Sequence, residues 1–198
     1  MPSFIFYDII NFMSTKHKLI LMMGGQGVGK GACSRALMAN GNYKYIETGA
    51  ILRAMPPESA VAKTIAAGNL VTDELLFDIM SDEIQSDSDV ILDGFPRSLS
   101  QAKWTIENYA DKFDVYVLYL SVPTEVLKFR ISKRNREGGK RIDDANPDVV
   151  QKRIDTYFKI TMPAIDWLRT VPNIHFAEID ASGDINDNMH QINMALEK

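Results

Sequence analysis

Leu19-Ile20-Leu21-Met22-Met23-Gly24-Gly25-Gln26-Gly27-Val28-Gly29-Lys30-Gly31-Ala32-Cys33-Ser34-Arg35-Ala36-Leu37-Met38 is the stretch on which the fold turns. Its first five residues are an apolar run, read as a buried strand. Glycines dominate positions 24 to 31, and a helix-compatible run follows from Ala32. Glycines let the backbone bend back sharply and bring its N–H groups to one point. Those amides, with the positive end of the following helix, form a cradle for phosphate oxygens. Lys30 adds a mobile ammonium that can follow charge onto the outer phosphates. The general phosphate-loop pattern has Ser or Thr after the lysine, whereas Gly31 stands there, so the bare match is imperfect. A glycine-rich turn with a surface lysine is the competing reading, and the strand and helix on either side weigh against it.

At 198 residues and 45% hydrophobic, the chain is long enough to bury one sizeable core, so one domain with an inserted flap or two is expected. A net charge of −4 argues against a nucleic-acid-binding surface over the whole molecule. Cys33 is the only cysteine, which excludes an internal disulfide and a cysteine cluster for zinc. Beside a phosphate loop such a residue is read as helix packing rather than a nucleophile. No apolar run is long enough to span a membrane, and a cytoplasmic location is expected. Phe4 to Ile10 is apolar but has no basic start and no small-residue cleavage site, so it makes a poor signal peptide. Met13-Ser14-Thr15-Lys16-His17-Lys18 reads like a second beginning. Residues 1–17 are therefore expected to be an extension, and residues 18–198 a single domain.

Further strands are expected at Tyr43 to Glu47, Asp89 to Asp93, Asp114 to Val122 and Asn173 to Ile179. Helices are expected at Glu58 to Ala67, Thr72 to Ile84, Ser98 to Tyr109, Pro123 to about Arg134, Pro147 to Leu168 and Ile185 to Leu196. Thr72 is the expected N-cap of its helix, and a bend is expected at Pro163. Glu137-Gly138-Gly139-Lys140 reads as a flexible tip. Strands alternating with helices predict an α/β fold: a parallel sheet covered on both faces.

Asp93 ends a buried strand and is followed by Gly94-Phe95-Pro96-Arg97. A carboxylate there, across from a phosphate loop, suits a metal held through its water shell. A strand-terminal Asp capping a turn is the alternative. Arg97 follows a rigid Phe-Pro pair, which suits a guanidinium aimed at a phosphate. A second cluster holds Arg130, Arg134, Arg136, Lys140, Arg141 and Arg153. Arg130 and Arg134 share a helix face, and the arginines flank a hinge-like Gly-Gly. A solvated basic face and a nucleic-acid patch are the ordinary readings, but no aromatic residues are interleaved. A lid that closes arginines onto a transferring phosphoryl group fits better. Thr48, Arg53, Gly68-Asn69-Leu70-Val71 and Gln101 form a third group, each weak alone.

Together these motifs resemble the adenylate kinases, within the nucleoside monophosphate kinases, from about Lys18 to the C-terminus. The resemblance rests on the Gly24 to Gly31 loop, Thr48-Gly49 with Leu52-Arg53, Gly68 to Val71, Leu92-Asp93-Gly94-Phe95-Pro96-Arg97 with Gln101, and Arg141-Ile142-Asp143-Asp144 with Arg153. It implies a P-loop NTPase-type five-stranded parallel sheet flanked by helices. It also implies an acceptor-binding flap over about 48–77 and a short lid over about 135–146. The implied reaction is reversible, magnesium-dependent phosphoryl transfer from ATP to AMP by a monomer, with no nucleic-acid or membrane partner. Gly25, Gln26, Gly27, Val28, Gly29, Lys30, Gly31 and Ala32 would hold ATP together with Arg134, and Arg130 would lie against its base. Thr48, Arg53, Asn69, Leu70, Val71, Gly94, Arg97 and Gln101 would hold AMP, and Arg53 and Arg97 would take its phosphate. Asp93 would order the magnesium water shell. Lys30, Arg97, Arg134, Arg141 and Arg153 would act on the phosphoryl in flight, Arg141 and Arg153 also facing AMP, and Asp143 would belong to the lid hinge. Gln26, Ala32 and Ala50 depart from the residues usual in the family. The spacing from Arg141 to Arg153 is one residue longer than usual. A UMP/CMP kinase, or a catalytically weakened nucleotide-binding homologue, is the alternative.

Overall fold

The computed structural model describes residues 16–67, 69–85, 87–136 and 147–197, without the side chains of 132 and 134–136. The central strand β1 (Lys18–Met23) is the apolar run, and Leu19, Ile20 and Leu21 have no exposed surface. It lies between β3 (Asp89–Asp93) and β4 (Asp114–Ser121). Outside these stand β2 (Tyr43–Glu47), beside β3, and β5 (His175–Asp180), beside β4. All four pairings are parallel, in the order β2-β3-β1-β4-β5, the five-stranded sheet expected.

Side chains alternate across a strand, so β1 feeds two cores. Leu19, Leu21 and Met23 pack with Val90, Leu92, Val115 and Val117 on one face. There they meet α4 (Asp73–Glu83), α5 (Leu99–Tyr109) and α8 (Met162–Leu168) through Met80, Ala102 and Ile165. Ile20 and Met22 pack on the other face with Ile91 and Leu118. These meet α1 (Lys30–Asn40) and α9 (Ile185–Leu196) through Cys33, Leu37 and Ile192. Burial on both faces explains the unbroken apolar runs of β1 and β4. Each aliphatic side chain so removed from water contributes on the order of 1.5–3 kcal/mol.

The other helices are α2 (Thr48–Arg53), α3 (Ala60–Ala66), α6 (Thr124–Arg136) and α7 (Pro147–Thr156). Helix α9 matches its expected bounds because Asp184 closes a capping box, accepting from Asn186 N at 2.7 Å and Asp187 N at 3.1 Å. Helix α3 is shorter than expected at both ends, and the Ser59 hydroxyl caps it. Thr72 does cap α4 by position, but its hydroxyl makes no cap bond.

The break expected at Pro163 takes a different form. Tyr157–Thr161 is a π-helical turn joining α7 to α8, with Pro163 in the first turn of α8. Proline has no N–H, and its ring would collide with the carbonyl four residues back in a straight α-helix. Widening the preceding turn lets Met162 N–H bond to Tyr157 O instead.

The chain leaves β1 for the β2 edge and leaves β3 for β4, on the other side of β1. These connections diverge between β1 and β3, which opens a crevice at the carboxyl ends of the two strands. Residues 1–15, Gly68 and the Glu137–Lys140 tip lie outside the described residues, as does most of the expected lid.

Candidate active site

The crevice is a cleft of about 410 Å³, within the range of small-ligand sites. Its floor is the loop after β1. Gly24 has φ +135°, and a Cβ there would stand 2.5 Å from Leu120 O. Only glycine therefore lets the chain turn off the end of β1 against β4. Gly29, at φ 117°, is the N-cap of α1. Lys30 folds back over the loop, its Nζ donating to Gly24 O at 2.8 Å and Gly25 O at 3.1 Å. Gly24, Gln26, Gly27, Gly29, Lys30, Gly31 and Ala32 all line the cleft, while Val28 is buried in the core.

Asp93, at the carboxyl end of β3, lines the same cleft and is 8% exposed. Its Oδ2 accepts from the Tyr45 hydroxyl at 3.1 Å. Burial, reinforced by the Asp93 and Glu47 carboxylates, pushes the Tyr45 phenol far above its ordinary range, so it remains a donor. Among the described residues no group of three or more His, Cys, Asp or Glu side chains could hold a metal.

Beyond Asp93, Gly94 turns at φ 92° and Phe95 anchors the exit. The Phe95 ring is 1% exposed and meets Trp104 edge-on at 5.9 Å, while Trp104 stacks on Phe77 at 4.6 Å. The Phe95–Pro96 bond is cis. Arg97 Nε donates to Gly94 O at 2.8 Å, which holds the guanidinium over the turn. Gln101 is buried at the cleft wall, where its Oε1 accepts from Arg97 N at 2.7 Å and its Nε2 donates to Asp73 Oδ1 at 2.8 Å. An amide oxygen has a second lone pair and the NH₂ a second hydrogen, so capacity for one ligand bond of each kind remains.

Arg53 arches back over the start of α2 and donates to Glu47 Oε1 at 2.7 Å. The Thr48 hydroxyl is buried and meets no hydrogen-bond partner among the described residues. Asn69, Leu70 and Val71 also line the cleft. Arg153, Thr156, Tyr157 and Thr161 come from α7 and the π turn, and the Tyr157 phenol is raised chiefly by burial.

The cleft thus gathers Lys30, Arg53, Arg97 and Arg153 with Asp93, Thr48 and Gln101, drawn from distant parts of the chain. Arg130 is outside the lining. Its guanidinium binds Val28 O at 3.0 Å and Ser182 O at 3.3 Å, tying α6 to the loop after β5. Arg141 and Asp143, with the Arg134 side chain, fall outside the described residues. Sequence reading missed Glu47, Tyr45, Tyr157 and Thr161. Only strand alternation could have put Tyr45 on the face of Asp93, and no local pattern marks the π turn.

The adenylate kinase family model matches residues 22–172 of this chain. The chain belongs to the adenylate kinase family. It is 36% identical over 160 residues to an adenylate kinase of Bacteroides thetaiotaomicron, covering 76% of this chain and 84% of the relative. It is 37% identical over 158 residues to one from a Synechococcus species, covering 75% and 81%. Adenylate kinase isoenzyme 1 of Gallus gallus is 28% identical over 191 residues, or 92% of this chain and 95% of its own. Among the departures from the adenylate kinase pattern, Gln26 and Ala32 line the cleft, whereas Ala50 is exposed on α2 outside it.

Proposed function

We propose that this chain catalyses reversible transfer of the terminal phosphoryl group of ATP to AMP, giving two ADP. The observation that carries this is a single cleft shared by the phosphate-type loop with Lys30 and by Arg53, Arg97 and Arg153. ATP phosphates would lie on the loop amides and the start of α1, where the helix dipole favours negative charge. Arg53 and Arg97 would bind the AMP phosphate, and Thr48, Asn69, Leu70, Val71, Gly94 and Gln101 would surround the acceptor. An AMP phosphate oxygen attacks the terminal phosphorus as the bond to the bridging oxygen breaks. ADP leaves, and no covalent intermediate with the protein forms. Lys30 and the arginines, Arg134 and Arg141 included, would stabilise charge that develops in transfer.

A magnesium ion fits this donor set. Of the two carboxylates that line the cleft, Glu47 is engaged by Arg53, and Asp93 suits a cation that keeps most of its waters and takes its other oxygens from phosphate. When bound, the ion would neutralise phosphate charge, and Asp93 would orient its waters. The segment 135–146 would serve as a lid that excludes water, with residues 48–77 as the acceptor flap. A monomer in the cytoplasm agrees with this reading. Among the described residues no helix is long and apolar enough to cross a membrane.

A coupled assay of the purified protein with ATP and each monophosphate tests the reading. AMP should be preferred because the buried Thr48 hydroxyl and Gln101 amide can pair with the adenine edge, and unpaired groups penalise other bases. Equal turnover of CMP and AMP would refute it.

A further inference from the structure

Tyr45 has no part in the roles given above. It stands on β2 two residues before Glu47, and Glu47 is in register with Asp93. Tyr45 and Asp93 therefore share a face of adjacent strands as diagonal neighbours, a distance that only a long side chain bridges. The Tyr45 hydroxyl bridges it, at 3.1 Å from Asp93 Oδ2.

The first turn of α1 bounds the same oxygen. A Cβ added at Gly31 would lie 3.7 Å from Asp93 Oδ2 and 3.5 Å from an Arg35 guanidinium nitrogen. Gly31 occupies the position where the general phosphate-loop pattern puts a hydroxyl, and here none is available. The hydroxyl that reaches the metal-side carboxylate comes from β2 instead. A carboxylate offers about four lone-pair sites, so one bond to Tyr45 fixes its rotation and leaves the others for the cleft.

We propose that Tyr45 is a positioning residue for Asp93, which holds the carboxylate in the orientation that receives the water shell of the divalent cation. This rests on the reading of Asp93 as the magnesium-side carboxylate. Partners of this kind set orientation without touching the ion.

Tyr45→Phe keeps the ring and removes only the hydroxyl. Manganese binding, followed by electron paramagnetic resonance with a non-transferable ATP analogue present, should weaken about twofold to tenfold, the scale of one hydrogen bond. Affinity for the analogue in EDTA and the melting temperature should stay near the parent values. In an Asp93→Asn background, Tyr45→Phe should add no further loss. Unchanged manganese affinity in Tyr45→Phe overturns the proposal, as does an equal loss in both backgrounds, which would mean that the hydroxyl acts by a route other than Asp93. If Asp93→Asn alone leaves manganese affinity intact, the reading of Asp93 itself is wrong and the proposal goes with it.

Discussion

Two cations of the cleft differ in what holds them. Lys30 donates to the carbonyls of its own loop, and Arg53 donates to the carboxylate of Glu47. Lys30→Met should lower turnover about 100-fold to 1000-fold while the melting temperature moves little, because the ammonium acts on charge that develops during transfer. Near-normal turnover would mean that the loop does not hold phosphate as proposed. If Arg53 takes the AMP phosphate as proposed, it must leave Glu47 or share with it. An exposed pair of this kind contributes roughly 0.2–1 kcal/mol. Glu47→Gln should therefore lower the KM for AMP by about twofold to fivefold. A raised KM would show that Glu47 orients the guanidinium rather than competing for it. Lys30 was legible from the sequence because its glycine loop is a local pattern. Glu47 was not, since its partner is known only once Arg53 is seen to fold back over α2.

At the scale of elements, the stretch from Pro147 to Leu168 shows where reading by pattern ran out. Its helical length was legible and so was an irregularity at Pro163. That the irregularity is a wide turn over Tyr157–Thr161, upstream of the proline, was not, because it depends on how Pro163 meets the carbonyls before it. One additional residue in a turn rotates everything before it by roughly 100° about the axis. The rotation decides which of two adjacent cations faces the cleft. Arg153 lines it, and Lys152 is exposed and does not. Arg153→Lys keeps the charge but loses the planar fork, so turnover should fall more than AMP affinity. Lys152→Ala should change neither. A silent Arg153→Lys beside a crippled Lys152→Ala would reverse the assignment. The central strands were legible because burial on both faces writes apolar runs into β1, β3 and β4, whereas the edge strands β2 and β5 are partly exposed and mix polar with apolar residues.

Across the whole molecule, the phosphate-type loop and the interior are joined through α1, which starts at Lys30 and buries Cys33 completely three residues later. Burial pushes the Cys33 thiol up, so thiolate is scarce as well as enclosed. A disulfide reagent at pH 8 should label the folded protein slowly, on the timescale of opening, and the urea-unfolded chain at once. Binding to the closed state alone slows such labelling in proportion to 1 + [L]/Kd, so ATP at 100 times its Kd should retard it about 100-fold. Labelling that ignores ATP would show α1 opening without disturbing the loop. The lone thiol thus works as a timekeeper already installed in the protein. It ticks only when the interior parts, and occupancy of the loop sets its pace.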